Sequence, residues 1–254
     1  MRLDIRILVP TLVIATAAGA APAQEWQHTL TPYLWMSGMS GKTAIGTALG
    51  PVEADVDVGF GDILKNLKIG GMVAYRGDRG PWTVMADAIY MNLEADKASS
   101  VGPVRLDATA EVKQTALEAD LGYRLAEHTV AFVGLRYNEI DADLSLVRSG
   151  PGAGANRSAG RSESWTDPVI GVVTQLPLNE RWSLGLRGDL AGFGVGSDLT
   201  WQAMATVHWK ASDTLEVVGG YRYLDADYEN GSGASLFKYD MVTSGPGLGV
   251  SFKF

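Results

Sequence analysis

Residues Arg181 to Lys210 read RWSLGLRGDLAGFGVGSDLTWQAMATVHWK. Taken every second residue, the first half sets Trp182, Leu184, Leu186, Gly188 and Leu190 against Ser183, Gly185, Arg187 and Asp189. The second half sets Trp201, Ala203, Ala205, Val207 and Trp209 against Thr200, Gln202, Met204, Thr206, His208 and Lys210. Period-2 alternation is the signature of β-strands. The Gly-rich centre, Gly192 to Ser197, marks a turn. Trp201 and Trp209 lie eight residues apart on the apolar face. At ~3.3 Å per residue and a tilt of ~40°, they stand roughly 20 Å apart along a barrel axis, near the spacing of two aromatic girdles around a ~25 Å apolar band. The small residues between them fill a soluble core poorly, but lipid coats them. The hairpin reads as part of a transmembrane barrel, apolar outside and polar within.

The N-terminus agrees. Arg2 and Arg6, diluted by Asp4, precede an apolar run from Ile7 to Ala21 that is short of the ~20 residues a spanning helix needs. The run ends in Ala21-Pro22-Ala23, an A-x-A cleavage pattern. The expected division is a signal peptide over residues 1–23 and a single β-barrel over residues 24–254, the mature chain starting at Gln24. An uncleaved N-terminal anchor is the alternative. No other run is long enough to span as a helix.

The net charge is −8, and losing Arg2, Arg6 and Asp4 with the leader makes it one unit more negative. An acidic chain without a basic cluster argues against nucleic acid. There is no cysteine, so disulfide and thiolate chemistry are excluded. The 31 glycines suit turns and crowded interiors.

Along the chain, Trp26 to Met36 forms the first strand, with Pro32 expected at a bulge or a locally unpaired position. Ser37 to Leu67 is irregular. Val52 to Phe60 alternates like a strand, and Gly61 to Leu67 suits a short helix with Asp62 as its N-cap. This stretch reads either as an elaborate first loop, folded into the lumen, or as one additional hairpin. Trp82 and Tyr90 repeat the eight-residue aromatic spacing. Val104 to Arg124 changes phase midway, which fits a bulge or a first part standing in water. Tight turns fall near residues 78, 126, 179 and 212. Longer loops fall near 37–67, 95–103, 149–162, 192–198 and 229–235. Alternating short and long connections match periplasmic turns and extracellular loops. The fold expected is therefore all-β: a closed antiparallel transmembrane β-barrel of about ten strands, with both termini on the short-turn side. Twelve strands result if residues 43–60 add a hairpin, and eight require merging segments across turns. Trp82, Tyr90, Trp182, Trp201, Trp209 and Tyr221 are the expected aromatic girdle residues. Leu186, Ala205 and Val217 are expected near the bilayer midplane.

The last ten residues, GPGLGVSFKF, resemble the final strand of bacterial outer-membrane barrels. Leu30 to Trp35 (LTPYLW), Phe60 to Leu67 (FGDILKNL), Trp165 to Gly171 (WTDPVIG), Gly188 to Trp201 (GDLAGFGVGSDLTW) and Gly220 to Leu224 (GYRYL) resemble a group of proteobacterial outer-membrane β-barrels of uncharacterised activity. That group is broadly similar to small OmpW/OmpA-type barrels. The resemblance implies a bacterial outer-membrane location, contact with outer-membrane lipid, and Phe254 as the signal read by the barrel-insertion machinery. It implies no activity that can be carried onto residues.

The inward face collects Arg76, Asp87, Glu118, Asp120, Arg124, Arg136, Asp167, Arg187, Asp189, Glu216 and Arg222. Of these, Arg76, Asp87, Glu118, Asp120, Arg136, Asp167, Arg187, Asp189 and Arg222 are the expected lumen-lining set. Both signs on neighbouring strands favour a structural network over a selectivity ring. The mature chain has only His28, His128 and His208, none beside a Ser or Asp motif and none with a Gly-x-Ser-x-Gly elsewhere. No enzymatic role, no cofactor and no metal site are expected. Asp55, Asp57, Asp62, Asp225 and Asp227 do not have EF-hand spacing. The function expected is a narrow channel allowing limited diffusion of small solutes, with a structural or surface-contact barrel as the alternative.

Overall fold

A computed structural model describes residues 25–47, 50–101, 104–149 and 157–254. The expected leader and its cleavage site lie outside the described residues, as does the centre of the expected 149–162 loop. The strands are β1 (Gln27–Trp35), β2 (Gly38–Thr47), β3 (Gly50–Val58), β4 (Leu67–Arg79), β5 (Trp82–Val101), β6 (Val104–Ala126), β7 (Thr129–Ser149), β8 (Arg157–Pro177), β9 (Trp182–Ala191), β10 (Leu199–Lys210), β11 (Leu215–Asn230) and β12 (Phe237–Lys253). One helix, α1 (Phe60–Asn66), precedes β4. Among the described residues no helix is long and apolar enough to cross a membrane.

Strand β1 pairs with β4, and each later strand pairs with the next as far as β12. The ring closes where β1 pairs antiparallel with β12. The last residue completes that seam: Phe254 and His28 exchange two backbone hydrogen bonds of 3.0 Å. Ten strands therefore form the ring.

The register explains the other two. Trp35 faces Gly247 and Gly38 faces Ser244, so β1 and β2 run against β12 in one continuous register with a break at Met36-Ser37. On the opposite edge of this line, Pro32 faces Val73 of β4 and Met39 faces Val58 of β3. One uninterrupted strand would place residue 66 opposite Met39. Strands β3 and β4 thus share a line broken by an eight-residue insertion, Gly59 plus α1. Twelve strands occupy ten lines.

The stretch Ser37 to Leu67 therefore extends the wall and does not fold into the lumen. Its hairpin is needed because the ring is sheared. A walk through paired residues from His28, by Gly77, Val84, Leu121, Val133, Ile170, Leu190, Trp201, Asp225 and Val242, ends opposite Ser40, twelve residues up the starting line. The upper half of β12 has a partner only because β2 continues β1.

Three local expectations change. The N-cap of α1 is Gly59, without a side-chain cap, and Asp62 lies within the first turn. Its backbone N–H already bonds Gly59, so it comes too late to cap. Strand β6 has no central bulge: its pairing with β5 is unbroken from Val104 to Tyr123. Its charged first part, including Asp107 and Glu111, shares the outward face with Leu117 and Leu121, and stands beyond the apolar band. The connection near residues 95–103 is not a loop but the joined ends of β5 and β6, where Val101 pairs with Val104. Pro32 sits where a missing N–H does least harm: at the last β4 pair, and in the gap of the β12 ladder between Leu30 and Tyr33.

Burial is inverted relative to a soluble domain. Leu117, Leu121, Leu135, Ile170 and Leu186 on the outer face are exposed, whereas Glu118, Asp120, Arg136, Asp167 and Asp189 are buried. A soluble fold does not carry a continuous apolar belt of this kind. Hydrocarbon around the belt removes the penalty, and ring closure pairs the strands on both sides there; the free edges, such as that of β3, lie in the parts that project beyond the belt. Strands of 20 to 23 residues in β5 to β8 exceed the ~10 residues that cross a bilayer. The excess projects on the long-loop side, the side that loop length predicts to be extracellular.

Candidate functional site: an ion-paired layer across the lumen

Alternation on β6, β7 and β9 aims Glu118, Asp120, Arg136, Arg187 and Asp189 at one level of the lumen. Arg136 donates from Nε to Glu118 at 2.5 Å and from Nη2 to Asp189 at 2.7 Å. Arg187 donates from Nε to Asp189 at 2.8 Å and from Nη2 to Asp120 at 3.2 Å, and also bonds Glu118. Its guanidinium lies 4.5 Å from the Phe132 ring centroid. Charges taken out of water are tolerated when paired in this way; among the described residues, Asp120 Oδ1 and Arg136 Nη1 are the layer's two buried atoms without a partner.

Gln202 of β10 carries the layer onward. Its Nε2 donates to Asp189 at 2.9 Å, and its Oε1 accepts from Arg222 Nε at 2.6 Å. Arg222 packs over Trp35, 4.7 Å from the ring centroid, and lies 3.5 Å from Asp87. Asp87 also accepts the Tyr33 hydroxyl at 2.8 Å. The chain of contacts runs from Glu118 on β6 round to Asp87 on β5, across most of the ring.

The nine expected lumen residues thus separate. Seven join this layer. Arg76 pairs instead with Asp78 at 2.7 Å, nearer the periplasmic turns. Asp167 is a loop anchor: its carboxylate accepts the Ser197 backbone N–H at 2.7 Å and the Ser197 hydroxyl at 2.9 Å. This holds the β9–β10 turn against β8, so closely that a Cβ on Gly196 would come within 2.5 Å of Asp167 Oδ1.

The layer divides two cavities. The lower one, about 260 Å³, is walled by apolar groups including Met85, Val173, Met204 and Val218. The upper one is about 40 Å³ and includes Ile89, Gln114 and Asn138 in its lining. Trp35, Asp87, Glu118 and Arg222 line both. At the extracellular end of the lumen, Trp165 stacks on Tyr228 at 4.2 Å, with Phe237 beside them.

Sequence reasoning missed Tyr33, Trp35, Gln202 and this aromatic cluster. Parity was the available signal, because Trp165 shares its face with Asp167 and Gln202 with His208. It also left His208 isolated. The fold brings it the Thr206 hydroxyl at 3.0 Å from Nε2 and the Glu216 carboxylate at 3.7 Å from Nδ1, with Lys253 bonded to Glu216.

Of the expected girdle, Trp82, Tyr90, Trp182, Trp201, Trp209 and Tyr221 all face outward and exposed. Trp182 and Trp209 pair at the turn end, 6.3 Å between centroids, and Trp82 meets Tyr123 there at 5.1 Å. Tyr223 stacks on Trp201 at 4.8 Å. Tyr221 pairs with Ala205, four residues short of Trp201, and stands lower in the wall.

No protein-family model matches the chain, and no curated protein matches it. Solved structures do. The outer-membrane protease OmpT from Escherichia coli has a TM-score of 0.53 at 8% identity, covering 90% of this chain and 97% of that one. The translocator domain of NalP from Neisseria meningitidis has a TM-score of 0.40 at 12% identity, covering 90% and 88%. Ail of Yersinia pestis has 0.38 at 10%, covering 91% and 99%.

The chain is an integral outer-membrane β-barrel. At these identities the likeness concerns fold alone, and of these three OmpT has a TM-score above 0.5. It corrects one expectation. The absence of a Ser or Asp motif near a histidine pointed to a protein that is no enzyme, yet a barrel of this fold serves as a protease in OmpT. Catalytic groups are recognised by their geometry and not by sequence position, so the lack of a local motif does not exclude catalysis.

Proposed function

We propose that this outer-membrane barrel is a narrow channel for limited diffusion of small solutes, with the ion-paired layer as its constriction. The observation that carries this reading is the pair of cavities meeting at the same four side chains, Trp35, Asp87, Glu118 and Arg222. A lumen filled for stability alone has no reason to keep about 260 Å³ open beneath such a layer. Opposite charges at the constriction disfavour bulk ion flow and leave small neutral or dipolar solutes as the class best suited to pass.

Planar-bilayer recording and liposome-swelling assays test the reading. Slow uptake of small solutes is expected from folded wild-type protein, with low ion conductance. Arg222→Ala removes a side chain that lines both cavities and should raise both. Folded protein that shows neither uptake nor conductance, in wild type and Arg222→Ala alike, would refute the channel. The second reading is a closed barrel with a surface role. The Trp165–Tyr228–Phe237 cluster and the long extracellular strand ends favour it.

A further inference from the structure

The lower cavity has the makings of a ligand site of definite chemistry. We propose that it binds a small, neutral, mostly apolar molecule carrying one hydroxyl group, of the size of a substituted phenol. This deepens the channel reading, on which its biological use rests; the binding itself does not depend on passage.

Size comes first. An apolar cavity of roughly 150 Å³ accommodates benzene, and this one measures about 260 Å³. A single ring with one or two substituents fits. The wall chemistry comes next. Met85 of β5, Val173 of β8, Met204 of β10 and Val218 of β11 supply apolar surface from four sides. Over this apolar part of the wall water finds no partner, so an apolar body seated there displaces it favourably.

The charges around the cavity decide neutrality. Arg187 is held by Glu118, Asp120 and Asp189, Arg222 faces Asp87, and Arg76 pairs with Asp78. A charged ligand would have to break one of these pairs or sit desolvated without a partner. The hydroxyl requirement follows from Thr206, a lining residue whose own hydroxyl lies 3.0 Å from His208 Nε2 and 3.4 Å from the Gly185 carbonyl. Its single proton goes to one of these, and its oxygen keeps a lone pair for a ligand hydroxyl.

The experiment uses 4-fluorophenol as a ¹⁹F NMR probe, with the barrel in lipid nanodiscs and empty nanodiscs as the partition reference. Saturable binding that unlabelled phenol displaces is expected. Met204→Trp and Val218→Phe fill the cavity from different strands, and each should abolish the saturable component while heat-modifiability shows a folded barrel. Thr206→Val should weaken binding roughly three- to tenfold, and 4-fluorobenzoate should show no saturable binding. A signal matching empty nanodiscs overturns the site. So does binding that survives in a folded cavity-filling variant. Equal binding of 4-fluorobenzoate overturns the neutral class. Saturable binding without solute uptake keeps this site and ends the channel reading; uptake without binding does the reverse.

Discussion

Arg136 on β7 reaches past the whole of β8 to place its Nη2 2.7 Å from Asp189 Oδ1 on β9. Gly171 makes the reach possible. It lies on β8 between Phe132 and Asp189, and a Cβ there would come within 2.5 Å of the Phe132 ring and 2.6 Å of Asp189 Cβ. The bond ties non-adjacent strands, so the layer braces the ring in a way the backbone ladders alone do not.

Removing Arg136 should therefore be expensive. Arg136→Leu leaves the buried carboxylates Glu118, Asp120 and Asp189 sharing the single charge of Arg187 and should cost about 3–5 kcal/mol. The exposed pair Arg105–Asp107, 2.8 Å apart, is the control, and Arg105→Ala should cost no more than about 1 kcal/mol. Urea unfolding in lipid vesicles measures both. Equal losses would show that burial of the layer contributes nothing.

The lipid face has a graded sensitivity to charge. Ala205 pairs with Leu186, halfway between the girdle tryptophans of β10, and Ala205→Arg should cost roughly 2–4 kcal/mol. Val217 pairs with Trp209, so it stands near the turn-side rim rather than at the midplane expected from sequence. Val217→Arg should cost clearly less, about 0–1 kcal/mol. The same titration decides, and the reverse order would mean the band is misplaced.

The β9–β10 turn should depend on Asp167. Asp167→Ala leaves the buried Ser197 N–H without its acceptor, a loss of about 1–3 kcal/mol. Ser197→Ala keeps that bond and should cost less. Hydrogen exchange across residues 192–198 should speed up in the first variant far more than in the second. Matching exchange in the two would assign the anchoring to other contacts.

The shared line of β3 and β4 can be tested by deletion. Removing residues 59–66 takes out the eight-residue insertion and joins Val58 to Leu67 in the register both strands already hold. The shortened chain should still assemble into a heat-modifiable barrel. Failure to assemble would show that α1, with its buried Ile63, is needed for closure.

Strand alternation, the tryptophan spacing on β10 and the rhythm of short and long connections determined the barrel from sequence alone. A period of two aims every second side chain at the lumen, whatever the neighbouring strand does. That is why Arg187, Asp189 and Arg222 were legible as inward, and why Trp165 was recoverable from Asp167 two positions on. Only the tertiary structure decided which inward residues meet. The partners of Arg136 lie 18 and 53 residues away in sequence, and those separations follow from strand order and shear. Neither quantity is encoded in any local pattern. The same holds for residues 37–67, whose hairpin is wall rather than plug because the sheared edge of β12 offers unpaired backbone that β2 satisfies. Where charge goes is set by periodicity, and which charge neutralises it is set by register.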